Sequence, residues 1–279
     1  MNVIDDRTRN LTAPPPPPVD PAVRTDLRGR LVARLGPLVA PLPAGDPVVV
    51  TLPLLRQARS RPESLGERDA PFAWRPAFVR RSLGLAVVEA CAAGRFRSPL
   101  EAVGPVTADA VARWEETGWR TYHWEPWVAG LAPGARAVVL AEAVGWASSL
   151  WSSFDWSGMD PLPHFGGADD QWACPSTHSV RLKGRSELRL PIGPGGTAAL
   201  VSVSGGCPSE GWQEELAFLA LTASLRSPSR PVPARVVGLW PDAGADRCIE
   251  VDEAALATAV DRVVATVAAV VASRRPVAA

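Results

Sequence analysis

The chain has 279 residues, enough to bury a sizeable core in one large domain or two small ones. Apolar residues make up 47% of it and charged residues 21%, a globular composition rather than a disordered or fibrous one. Its 29 basic and 29 acidic residues cancel, which excludes a generally basic nucleic-acid glove and leaves room only for a local patch.

Pro14 to Pro18 form an uninterrupted run, with Pro21 close behind. Such a run favours polyproline II and excludes helix and central strand, so residues 1–24 are expected to be a disordered proline-rich tail. The run reads either as a ligand for a proline-recognising domain or as a semi-rigid spacer. Residues 25–279 are expected to form one α/β domain, mostly helical over 25–172, with a sheet core and closing helix over 173–275.

Leu27 to Leu42 fits a short helix, Val48 to Leu52 a β-branched strand, and Leu54 to Arg61 a second helix. Pro71 to Arg81 is a mixed aromatic and basic piece in which Arg75, Arg80 and Arg81 read as surface charge. Leu83 to Ala93 follows as a helix ending at Gly94. Residues 107–156 look helical and are dense in tryptophan: Trp114, Trp119, Trp124, Trp127, Trp146, Trp151 and Trp156. Indoles at such positions either stack on bases or anchor a core.

Val180 to Leu190 alternates strictly, with Arg181, Lys183, Arg185, Glu187 and Arg189 on one face. That period predicts one half-exposed strand. Its cations are either a solvated face or a phosphate-contacting one. A Pro/Gly turn follows at Pro191 to Gly196. Ala198 to Val203 is almost wholly apolar and fits a strand buried on both faces. Ser209 is placed to cap a helix running to about Leu225, with Glu210, Gln213 and Glu214 in its first turn. Ala234 to Trp240 and Arg247 to Val251 are two further strands. Asp252 caps a last helix whose stripe is Leu256, Val260, Val263, Val267 and Val270, with Arg274 and Arg275 at its end. The order predicts a mixed central sheet flanked by helices.

Cys91, Cys174, Cys207 and Cys248 are dispersed, which reads as reduced, buried thiols rather than a disulfide framework. Cys174 and His178 have a Cys-x3-His spacing, but no Cys-x2-Cys pair accompanies it, as a zinc site or iron–sulfur cluster would require. The polar start MNVIDDRTRN is no secretory signal, and Asp261 with Arg262 interrupts the apolar stretch Ala254 to Ala272. A cytoplasmic protein without membrane contact is the expectation. The sole lysine, Lys183, follows Leu182, so no Gly-x4-Gly-Lys phosphate loop exists; Ser-Val-Ser-Gly-Gly around Ser204 is no nucleophile elbow.

The segment LKGRSELRL (Leu182 to Leu190), a turn, ALVSVSGG (Ala199 to Gly206) and the helix WQEELAFLALTASL resemble the restriction-endonuclease-like, PD-(D/E)XK superfamily. The nearest pattern is the branch found in helicase–nuclease recombination enzymes. Upstream, LGLAVVEACAAG (Leu83 to Gly94) resembles that branch's first helix, and Val48 to Arg61 its opening strand and helix. The resemblance covers most of residues 47–272 and rests on pattern and order. It implies a mixed sheet with a Mg²⁺ site, and it places Glu187 at the first metal-binding carboxylate. Ser202 then falls on the second carboxylate, Ser204 on the lysine, and Val88 on a histidine.

Ser202 and Ser204 keep the two-residue spacing but supply neither charge, and a neutral hydroxyl is a poor magnesium ligand. Phosphodiester hydrolysis needs both the ligated metal and stabilisation of the transition-state charge. The resemblance therefore implies a catalytically inactive nuclease-fold protein with a vestigial site at Glu187, Ser202 and Ser204, with Glu89 of the first helix as a further candidate. No metal is expected. Nucleic acid would meet Arg181, Lys183, Arg185 and Gln213, and a protein partner is expected in a DNA-processing or defence assembly. Two alternatives stand beside this: an active Mg²⁺ nuclease that uses Glu187 with relocated groups such as Glu214 or Glu215, and a purely structural assembly protein.

Overall fold

The computed structural model describes residues 16–43, 46–65, 73–120, 123–154, 156, 164–165, 170–175, 179–192, 198–226 and 231–274. It is an α/β fold. Helices α1 (Pro21–Val39), α2 (Leu52–Ser60), α3 (Pro76–Ala92), α4 (Pro99–Thr117), α5 (Glu125–Ala129) and α6 (Pro133–Trp151) fill the first half, with strand β1 (Val48–Val50) between α1 and α2. Strands β2 (His164–Phe165), β3 (Asp170–Ala173), β4 (Val180–Gly184), β5 (Leu188–Pro191) and β6 (Ala198–Val203) follow. Helix α7 (Trp212–Arg226), strands β7 (Arg235–Trp240) and β8 (Ala245–Glu250), and helix α8 (Glu253–Arg274) close the chain.

Among the described residues the strands form two sheets rather than the expected one. One has the order β1-β4-β3, the other β2-β5-β6-β7-β8. The division falls inside the segment expected as one strand. Gly184 ends β4 where a Cβ would press on Thr222 and Leu219 of α7 at 3.1 and 3.3 Å. Glu187 then donates its N–H to Val201 O (2.8 Å), although Val201 is already the register partner of Leu188. Two residues facing one is the geometry of a bulge, which re-aims a side chain and interrupts a ladder. Arg181 stays exposed and Lys183 and Arg189 half-buried, but Glu187 turns inward.

Helix α7 lies between the two sheets. Its residues 215–225 are all buried, as expected of a helix that is apolar on every side. Its polar exceptions satisfy themselves: the Thr222 and Ser224 hydroxyls donate to the carbonyls of Phe218 and Ala220. Leu200 and Val236 face the core shared with α1, α7 and α8, whereas Val201, Val203, Val237 and Leu239 face the α3–α4–α6 layer.

Several boundaries differ from expectation. Asp20 accepts the Ala22 N–H (2.7 Å) and Pro21 opens α1, so 21–24 belong to a helix rather than a tail. Residues 1–15, the centre of the Pro191–Gly196 turn, His178 and Arg275 lie outside the described residues. Helix α3 begins at Pro76, which places Arg80 and Arg81 within it. Asp252 caps α8 as expected, accepting the Ala255 N–H at 2.7 Å. Helix α8 is long and apolar enough to cross a membrane by length and composition, yet its stripe packs against α1, α2, α7 and β1.

Of the tryptophans, Trp124 and Trp146 are buried, and Trp114, Trp127, Trp151 and Trp156 are half-buried. Trp151 and Trp156 stack on each other with centroids 5.2 Å apart, and the Trp156 indole N–H donates to Trp151 O. Trp119 alone among them stands out, 71% exposed. The cysteines are free; Cys91 and Cys174 are buried as expected, but Cys248 is half-buried and Cys207 exposed.

Candidate site at the carboxyl end of strand β6

Strands β6 and β7 run parallel and are joined by α7, so the loop leaving β6 and the turn that follows β7 both lie at the carboxyl ends of the two strands. The Glu187 side chain is 0% exposed there and is satisfied from two directions. Oε2 accepts the Val203 N–H at 2.7 Å, standing where a carbonyl of the neighbouring strand would otherwise accept it. Oε1 takes an ion pair with Arg81 of α3, while Arg185 Nε lies 4.0 Å away. A buried carboxylate demands such partners, because leaving it unpaired costs several kcal/mol.

Three residues further on, the pattern repeats. Asp242, in the one-turn 3-10 helix Pro241–Ala243 after β7, accepts from Gly206 N–H (3.2 Å) and from Arg80 Nη2 (3.0 Å) on Oδ2. Each carboxylate is thus held by one arginine of α3 and one backbone N–H from the end of β6 or its loop. Gly206 has φ +74°, the left-handed region that glycine enters without strain.

The remaining expected site residues are scattered around this pair. Ser202 is buried and pairs with Gly238; by alternation it shares the face of Leu200, towards α7. A Cβ on Gly238 would meet Trp240 and Leu216, so that side of the strand is filled by apolar side chains. Ser204 is half-buried just past β6, its N–H donating to Leu239 O. Glu89 is half-buried on α3, two turns beyond Arg81, and Val88 lies in the core. Arg181 and Lys183 are in the other sheet, opposite Ala173 and Gln171, and Gln213 is exposed at the start of α7. The structure therefore brings Glu187 to the end of β6 with Arg185 beside it, but gathers neither the expected carboxylates nor Arg181 and Lys183 around it.

Glu214 and Glu215 belong to a separate cluster. Glu215, buried at the start of α7, receives Arg56 Nε on Oε1 (2.9 Å) and Nη2 on Oε2 (2.6 Å), plus the Ser209 hydroxyl at 2.6 Å. Arg59 and Arg262 hold Glu214. Ser209 was expected as a helix cap; α7 instead starts at Trp212, and the hydroxyl serves Glu215. Burial pushes the Glu215 carboxyl up. The Arg56 and Ser209 hydrogen bonds and the Arg56 and Arg59 charges pull it further down, leaving it below the ordinary value.

A divalent cation does not fit the residues at the end of β6. Both Glu187 oxygens are committed to cationic or N–H donors, and Ser202 points towards the α7 side. Among the described residues no group of three or more His, Cys, Asp or Glu side chains is arranged to hold a metal ion. Sequence reasoning missed Arg80, Arg81 and Asp242, because their pairing is tertiary; the adjacent arginines at a helix start were the one local sign. Comparison with known proteins finds no family model, no curated protein and no solved structure that matches the chain.

Proposed function

We propose that this chain is a non-catalytic binding protein built on a nuclease-like α/β core. One observation carries the reading: Arg81 and the Val203 N–H occupy both oxygens of Glu187, the carboxylate that a metal-dependent hydrolase of this pattern would offer to its cation. A guanidinium neutralises the carboxylate as a metal would, but it brings no bound water to activate. With serine at positions 202 and 204, no second carboxylate or lysine completes the machinery.

Nucleic acid is the partner class favoured, since exposed Arg181 and half-buried Lys183 lie two apart on the outward face of β4. The assembly reading is favoured by a different feature, the exposed Trp119, since a large exposed aromatic is characteristic of protein-docking hot spots. Incubation with single- and double-stranded DNA in Mg²⁺ or Mn²⁺ tests the proposal. No cleavage, with binding of DNA at low salt that weakens in Arg181→Ala, is the expected result. Metal-dependent cleavage lost in Glu187→Ala would overturn it.

A further inference from the structure

The Asp242 seat differs from the Glu187 seat in being accessible. The Asp242 side chain is 32% exposed and Arg80 25%, whereas the Glu187 side chain is wholly enclosed. Two donors of different kinds, the Arg80 guanidinium and the Gly206 N–H, converge on a single oxygen, Asp242 Oδ2. Of the Arg80 guanidinium, Nη2 alone bonds this carboxylate, while Nε is shielded from solvent. Gly205 borders the seat, where a Cβ would come into ordinary van der Waals contact with Asp242 Oδ2 at 3.5 Å. The seat also lies outside the carboxyl ends of two parallel strands, where open α/β sheets hold their ligands.

We propose that Arg80 and the Gly206 N–H form a binding seat for a phosphate-type oxyanion, with the Asp242 carboxylate as the internal group such an anion displaces. A tetrahedral phosphate presents several oxygens at once. It meets Arg80 Nη2 and the Gly206 N–H with separate oxygens, where Asp242 brings a single oxygen to both. Asp242, on the short turn Pro241–Ala243, swings to solvent when it is displaced. Anion binding is thereby opposed by a built-in negative charge, which raises the anion concentration needed for half-occupancy.

The test is a titration of the full ¹⁵N-labelled chain with inorganic phosphate at constant ionic strength, reading the Gly206 amide resonance. A saturable shift is expected, tightened about tenfold in Asp242→Asn and weakened about tenfold in Arg80→Gln. A Gly206 resonance that stays still in both the natural chain and Asp242→Asn overturns the proposal. So does an Arg80→Gln chain that binds phosphate as tightly as the parent. Should either variant fail to fold, the natural chain decides alone, by whether Gly206 shifts saturably. Competition with oligothymidylate, with and without a 5′-phosphate, separates the sources. Displacement by both assigns the seat to phosphodiesters, by the phosphorylated one alone to a terminal phosphate, and by neither to a small free phosphate. The seat does not rest on the proposed function: failure here leaves the Glu187 argument intact, and metal-dependent cleavage would sink that argument while leaving the seat.

Discussion

Arg81 and Glu187 form an unequal ion pair: the Glu187 side chain is 0% exposed, whereas Arg81 is 37% exposed. Loss of either partner therefore has different consequences. Arg81→Ala strands a buried carboxylate and is expected to cost about 3–5 kcal/mol. Glu187→Gln leaves Arg81 free to turn to water and keeps an acceptor for the Val203 N–H, so about 1–3 kcal/mol is expected. Urea unfolding midpoints of the two variants and their double mutant check the order; equal costs would show that the pair is not held as described.

Gly84 of α3 lies directly under the six-membered ring of Trp146 on α6, so close that an added Cβ would overlap it. Gly84→Ala gains about 1 kcal/mol of helix propensity. It loses about 1–3 kcal/mol to overpacking, because the ring is buried and has nowhere to move. A net loss of stability is expected by thermal unfolding, and a stabilised variant would contradict the close approach of these helices.

Glu215 makes stability depend on acid. Its folded-state carboxyl is held below the ordinary value, with burial opposing and Arg56, Ser209 and Arg59 prevailing. A depressed group stabilises the fold above its unfolded pKa of about 4.3, and the contribution is lost as pH falls through the lower, folded value. Stability should therefore drop below about pH 4.3. Glu215→Gln should flatten part of that drop in denaturant titrations run between about pH 6 and pH 3.

Thiol reactivity should follow exposure. Burial pushes the Cys91 thiol up to about 11, and Cys248 is also raised, chiefly by burial. Cys207 is exposed on the loop after β6, and Cys174 is fully buried. Iodoacetamide at neutral pH should label Cys207 first by mass spectrometry; early labelling of Cys91 would mean that the α3–α4 packing opens.

The run from β6 to α8 was readable because each element carries its own local signal. Ala198 to Val203 is apolar but for Ser202, α8 has a helical stripe, and Asp252 caps it. The break within Val180 to Leu190 was not readable, since alternation continues through Glu187 even though the backbone bulges there. Strands of two and four residues, β2 and β3, are too short to show a period. At the site, Glu187 could be singled out by its place in a pattern. Arg81, which decides what Glu187 can do, sits 106 residues away in sequence, and only the packing of α3 on the sheet brings it there.

Calorimetric titration of the natural chain with Mn²⁺, repeated on Glu187→Ala, tests the central claim most directly. If Arg81 already occupies Glu187, neither protein should release or absorb heat beyond dilution. A saturable Mn²⁺ isotherm that disappears in Glu187→Ala would show that the carboxylate exchanges its arginine for a metal, and the non-catalytic reading would fall.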